Sequence, residues 1–255
     1  MRKALADVQS TASLHPLPLA RVGVVNLEYP VSFRQNGNRR DVIMQLKISV
    51  DLPEEQRGAH MSRFVQRLQE HLALPKETEK IEDLAETIAK LQLATHDYAT
   101  RAVVHLSTRV DDQEGRIYQL TGQFDTRAKT KTVGIRTVGA IACPCSMAMT
   151  GGLSHNQRST LSVDIDVPPA GVDAESILGE VTRGFSTPVK LMLKRPDEKK
   201  LVEEMHRNPR FVEDVVREVV SILKVRHAGS KARVECVSHE SIHPYDVFAE
   251  WEGTL

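Results

Sequence analysis

Cys143-Pro144-Cys145 places two thiols two residues apart, and four kinds of chemistry suit such a pair. One is a dithiol redox couple, although its usual spacing is Cys-x-x-Cys at a helix start. A closed structural zinc site would join both cysteines to His239 and His243. A catalytic metal would take one thiolate, one histidine and one carboxylate, leaving a position open for water. Two partly buried thiols without a role is the fourth. The spacing alone leaves all four open.

Other chemically capable residues cluster near the same segment. His155 lies within Gly152-Leu153-Ser154-His155-Asn156-Gln157-Arg158. Glu240 and His243 lie in Ser238-His239-Glu240-Ser241-Ile242-His243-Pro244, and this link can reach the same end of a sheet as the cysteine loop. Glu198 follows Leu193-Lys194-Arg195-Pro196-Asp197 at a helix start, where the helix dipole favours an acid in any case. Glu213 sits beside an apolar helical stripe; it is either solvated or placed to accept paired N–H donors from a flat base such as guanine. The other histidines (15, 60, 71, 96, 105, 206 and 227) have no nearby cysteine and read as structural or solvated.

These groups need a scaffold, and hydrophobic periodicity supplies its outline. Val42, Met44, Leu46, Ile48, Val50 and Leu52 alternate with Ile43, Gln45, Lys47, Ser49 and Asp51, which predicts a long strand with one buried face. Pro53 ends it. Leu161, Val163, Ile165 and Val167 repeat the design before Pro168. Leu27–Phe33 and a turn at Asn36-Gly37-Asn38 make the first strand a hairpin partner. Met61, Phe64, Leu68 and Leu72, then Ile81, Leu84, Ile88 and Leu91, recur at helical spacing. Strands follow at Ala102/Val104/Leu106 and Tyr118/Leu120/Phe124, joined through Asp111–Gly115.

The second half shows the same order. A strand near Val133–Ala140 precedes the one that ends at Pro168, and the link between them is a long loop that carries the cysteines. Helices are expected over Ala174–Arg183, from Pro196, and from Asn208-Pro209, read as an N-cap with proline at the first helical position. The stripe of the last helix is Val212, Val215, Val216, Val219, Ile222 and Leu223. Strands at Ala232/Val234/Cys236 and Tyr245/Val247/Ala249/Trp251 complete the chain. The fold class is α+β: an N-terminal arm over 1–20, then two tandem ββααββ units over 21–127 and 128–255. Each unit would form an antiparallel sheet with helices on one face, leaving the other face for a partner.

Composition removes several functions. Lys+Arg and Asp+Glu both number 34, so the formal net charge is zero, which argues against a general nucleic-acid or anionic-membrane binder. Aromatic residues make up 4%, too few for a base-stacking platform. No apolar run reaches the ~20 residues of a membrane helix. Asp7 interrupts the N-terminus before the apolar core of a signal peptide could form. An odd, small cysteine count fits reduced thiols in a cytoplasm.

Four motifs in order, Cys143-Pro144-Cys145-Ser146, Gly152–Arg158, Leu193–Glu198 and Glu240-Ser241-Ile242-His243, make the chain resemble the type IB GTP cyclohydrolases, a prokaryotic family of the tunnelling fold. The match runs from Asp7-Val8-Gln9-Ser10 to Trp251. The resemblance implies that GTP and water give formate and 7,8-dihydroneopterin triphosphate, the entry to folate-type pterins or to queuosine precursors. It implies a divalent metal on Cys143, Glu198 and His243, zinc suiting one thiolate, one carboxylate and one imidazole, with manganese or iron as alternatives. His155 would act as acid/base at the purine N7 or join the metal shell. Cys145 and Glu240 would transfer protons near the reacting carbon, and Glu213 would hold the guanine edge. Arg127, Lys129, Lys131, Arg158, Lys194 and Arg195 are candidates for the triphosphate. A homo-oligomer, a tetramer with sites between subunits, is expected. The rivals are a nitrile reductase of the same fold and a non-catalytic structural-zinc scaffold.

Overall fold

The computed structural model describes residues 6–35, 38–72, 80–112 and 114–255. The expected turn at Asn36-Gly37, the side chain of Leu72 in the first helical stripe, and Gln113 fall outside what is described. The elements are β1 (Leu19–Gln35), β2 (Asn38–Leu52), α1 (Met61–Leu72), α2 (Ile81–Thr95), β3 (Ala102–Asp111), β4 (Ile117–Asp125), β5 (Thr130–Ala142), α3 (Pro144–Thr150), β6 (Asn156–Asp166), α4 (Ala174–Val181), β7 (Thr187–Pro188), α5 (Arg195–Arg207), α6 (Val212–Arg226), β8 (Lys231–Ser238) and β9 (Val247–Thr254). The strands hydrogen-bond in the order β1-β2-β3-β4-β5-β6-β8-β9, with β7 beside β5. The fold is therefore α+β, built on a nine-stranded antiparallel sheet. Among the described residues no helix is long and apolar enough to cross a membrane.

Two compact units are present, Met1–Thr108 with Thr121–Thr132, and Arg109–Leu120 with Val133–Leu255. In the first, the alternation of β2 is realised as expected: Met44, Leu46, Ile48 and Val50 are buried, while Ile43, Gln45 and Lys47 are exposed. Phe64 and Leu68 of α1 and Leu84 and Ile88 of α2 are buried in the same unit, and α2 packs on β2. Each such side chain contributes about 1.5–3 kcal/mol on leaving water. Asp51 is more than a polar-face residue. It accepts hydrogen bonds from the Thr100 N–H (2.8 Å), the Thr100 hydroxyl (2.6 Å) and the Arg101 N–H (2.7 Å), and so fixes the start of β3.

Arg101 in turn forks onto Asp125, with Nε 3.1 Å from each carboxylate oxygen. The guanidinium holds the Asp125 carboxyl below its ordinary 3.8. A carboxyl with a lowered folded-state pKa stabilises the fold above its unfolded value, and that stability disappears as pH falls through the folded one. Arg101→Ala should therefore cost about 2 kcal/mol in urea unfolding at pH 7, and much less at a pH low enough to protonate Asp125 in the folded protein. An equal cost at both pH values would show that the pair contributes packing rather than charge.

In the second unit, β6 pairs with β8 from Ser159↔Ser238 to Ile165↔Ala232, and β8 pairs with β9. Helix α6 covers β8 and β9, burying Val215, Val216, Val219 and Leu223 against Val234 and Cys236. Its start differs from the expectation at Asn208-Pro209. Asn208 is the C-cap of α5, and its amide nitrogen donates to the carbonyls of Phe185 (3.2 Å) and Ser186 (3.4 Å). Helix α6 begins at Val212 instead, after the Phe211 N–H is taken by the Asp214 carboxylate at 3.0 Å. The expected helix over Ala174–Arg183 is α4 followed by a single 3-10 turn at Thr182–Gly184. The cysteine-bearing link also holds helix α3, closed by Gly151 in the left-handed region (φ 73°), which glycine adopts without strain.

Candidate active site

The strand end at Ala142 is tied on both sides before the cysteines begin. Its N–H donates to the Ser186 hydroxyl (3.3 Å), and its carbonyl accepts from the Arg210 N–H (3.0 Å). Cys143 is then the extended N-cap of α3, with Pro144 as the first helical residue. The Cys143 N–H donates to the Ser154 hydroxyl oxygen at 2.8 Å, and that hydroxyl lies 2.6 Å from the His155 carbonyl. Ser154 thus latches the two ends of the loop together. Cys143 is half-buried, Cys145 is exposed, and both are free thiols.

His155 and Glu240 are joined through a residue to which the sequence reading gave no role. The His155 Nδ1 lies 3.0 Å from the Gln157 Oε1, and the Gln157 Nε2 donates to the Glu240 Oε1 at 3.1 Å. A carbonyl oxygen only accepts, so this orientation of the Gln157 amide puts the imidazole proton on Nδ1 and leaves a lone pair on Nε2. Glu240 Oε1 also accepts from the buried Ser238 hydroxyl at 3.0 Å. The Ser241 hydroxyl lies 3.4 Å from the His155 Nδ1. The arrangement can present a base at Nε2 of His155 and a carboxylate oxygen, Oε2, at Glu240. One sequence signal existed: Gln157 follows His155 by only two residues, at the start of β6.

The remaining candidates lie apart. Glu198 is exposed in the first turn of α5, where its N–H donates to the Lys194 carbonyl. Glu213 is exposed in the first turn of α6, at the wall of a groove of about 450 Å³ that also includes Trp251. His243 is exposed and stacks in parallel on Tyr245, with centroids 5.1 Å apart. The one-thiolate, one-carboxylate, one-imidazole set has the right donor chemistry for a divalent metal. Placement is another matter: among the described residues, no three His, Cys, Asp or Glu side chains gather as an ion requires. Cys143, Glu198 and His243 are not brought together within the chain.

His239, the fourth ligand of a closed zinc site, has both ring nitrogens engaged, Nε2 at 2.9 Å from the Thr160 hydroxyl and Nδ1 at 2.9 Å from Asp246. Of the cations considered for a triphosphate, Arg127 is paired with Asp51, and Lys131 with Asp83 and Glu86. Cys236 lies in the core, its thiol pushed up to about 12 by burial, as expected of a core strand.

The architecture has a counterpart among solved structures. A uricase from Arthrobacter globiformis superposes with a TM-score of 0.50 over 92% of this chain and 93% of its own, at 10% identity, a likeness of fold alone. Sequence comparison goes further. The family model for type I GTP cyclohydrolase folE2 matches residues 5–249. "GTP cyclohydrolase FolE2" of Thermosipho melanesiensis is 33% identical, covering 98% of this chain and 99% of its own. "GTP cyclohydrolase MptA" of Methanococcus maripaludis strain C5 is 33% identical over 98% and 95%. The chain belongs to the type I GTP cyclohydrolase folE2 family.

Proposed function

We propose that the protein is a GTP cyclohydrolase that converts GTP and one net water to formate and 7,8-dihydroneopterin triphosphate. The observation that supports it within the site is the hydrogen-bond chain His155–Gln157–Glu240, which ties two of the family-resembling motifs into one acid–base unit. Attack at the purine C8 breaks ring aromaticity, so the reaction needs a proton delivered to N7 as water adds to C8. His155, held in one tautomer, relays that proton through Nε2. Glu240 and Cys145 take protons from the added water and return them as the ring opens and formate leaves. Glu213 accepts the paired N–H donors of the guanine edge.

Cys143, Glu198 and His243 enter the proposal as the donor set for a divalent metal: zinc, or manganese or iron. When bound, such an ion lowers the pKa of its water toward ~7. No step above is routed through it, because the three donors are not gathered in the chain. The scaffold is read as two tandem ββααββ units of the tunnelling fold, assembled as a homotetramer with sites between subunits. The setting is the cytoplasm, and the product enters folate-type pterins or queuosine precursors. Neither the nitrile reductase nor the structural-zinc reading has support in the comparisons.

The test is direct. Purified protein incubated with GTP and a divalent metal, then oxidised, should yield pterin fluorescence and an equal amount of formate. Mass spectrometry of the pterin reads whether the triphosphate is retained. No pterin and no formate with any of the three metals would overturn the proposal.

A further inference from the structure

A cavity of about 540 Å³ in the second unit has Arg109, Arg136, Arg158 and Lys190 in its walls, with Gln119 and Thr160 between them. Among the described residues no Asp or Glu lines it. A fifth cation at the wall, Arg116, is neutralised by Asp112 at 2.5 Å. None of the other four cations forms an ion pair among the described residues.

The grouping follows from strand order and side-chain alternation. Arg109, Gln119, Arg136 and Arg158 lie on β3, β4, β5 and β6, which are neighbours in the sheet. Each sits between buried strand neighbours: Thr108 and Val110, Tyr118 and Leu120, Ile135 and Thr137, Gln157 and Ser159. By two-residue alternation, the four polar side chains therefore leave the face turned away from the core, on four neighbouring strands that span about 14 Å at the usual strand spacing. Lys190 joins them from just beyond β7, because Pro188 pairs with Gly139 of β5 and Val189 packs on Ala140, Ala142 and Met205.

We infer that this cavity binds an oligophosphate anion. Like charges collected in a concavity with no counter-charge focus a positive potential that an anion relieves. Guanidinium groups match phosphate oxygens two at a time. The volume is that of a small-molecule pocket, and four cations suit an anion of several charges better than a single carboxylate. The anion could be the tail of a nucleoside triphosphate in turnover or a free oligophosphate; the chemistry of recognition is the same. Alternation along β6 puts Arg158 and Gln157 on opposite faces, so the cavity is separate from the His155–Gln157–Glu240 chain within this chain.

Titration calorimetry of the full chain with sodium tripolyphosphate tests the inference, and only its competition arm rests on the GTP cyclohydrolase reading. Wild type should bind at low salt, and Arg136→Ala/Arg158→Ala should weaken binding by about tenfold or more. The melting temperature should not move, since both side chains are exposed. Arg67→Ala, an exposed arginine of α1, should change nothing. If tripolyphosphate raises the apparent KM for GTP without lowering kcat, the cavity takes the substrate's tail. Binding that leaves both constants unmoved assigns it to a free oligophosphate. No binding by wild type, equal binding by the double variant, or an equal loss with Arg67→Ala would overturn the inference. Retained binding without GTP turnover would overturn the proposed activity and leave the cavity's assignment standing.

Discussion

His155→Ala should lower GTP turnover by about 10²–10⁴-fold, the range for loss of a positioned acid or base, with the melting temperature unchanged. The geometry makes the effect specific. Gln157 fixes the Nδ1 proton, so Nε2 is the atom left to carry a proton to the substrate. Gln157→Leu should then lower kcat with little effect on KM, because the imidazole remains but its tautomer and direction are released. The side chain of His155 is only partly buried and Gln157 is its close partner, so circular dichroism should show an intact fold in both variants. Full activity in His155→Ala would place the proton transfer elsewhere, with Cys145 next to be tested.

The second large effect concerns the strand that carries the site. A Cβ added at Gly139 would fall inside the Phe185 ring, and Phe185 is only 2% exposed, so it has nowhere to move. Gly139 also pairs with Pro188, the contact that brings β7 to β5. Gly139→Ala should therefore cost about 1–3 kcal/mol and lower the thermal midpoint by about 2–12 °C. A Phe185→Leu change should recover part of that loss in the double variant, since the two residues share one space. An unchanged midpoint for Gly139→Ala would mean that β5 and Phe185 separate without cost.

Which features could be read from residues alone follows from how local their causes are. The buried phase of β2 is written in six alternating side chains and ends at a proline, so it needs no tertiary knowledge. Helix α2 is written as clearly in Ile81, Leu84 and Ile88. Asn208-Pro209 looks like a helix start, yet the Asn208 amide bonds carbonyls more than twenty positions earlier, and no local pattern could reveal that. Strand β7 has two residues and no periodicity to detect. The His155–Glu240 link runs through Gln157, which reaches Glu240 across 83 positions, and its existence depends on the β6–β8 register. The basic cavity was only partly legible. Arg158 stood among the candidates, but Arg109, Arg136 and Lys190 join it only once four strands are laid side by side.

Cys236 gives the protein a built-in clock for its own opening. The thiolate is the species that alkylating reagents attack, and with a pKa near 12 roughly one part in ten thousand of this thiol is ionised at pH 8. Its side chain has no solvent contact in β8, whereas Cys145 is open to reagent. Alkylation should consequently come in separated phases, with exposed sulfur first and Cys236 only when β8 leaves the sheet. The slowest phase, followed by intact mass, reports how often this core comes apart under native conditions, without denaturant.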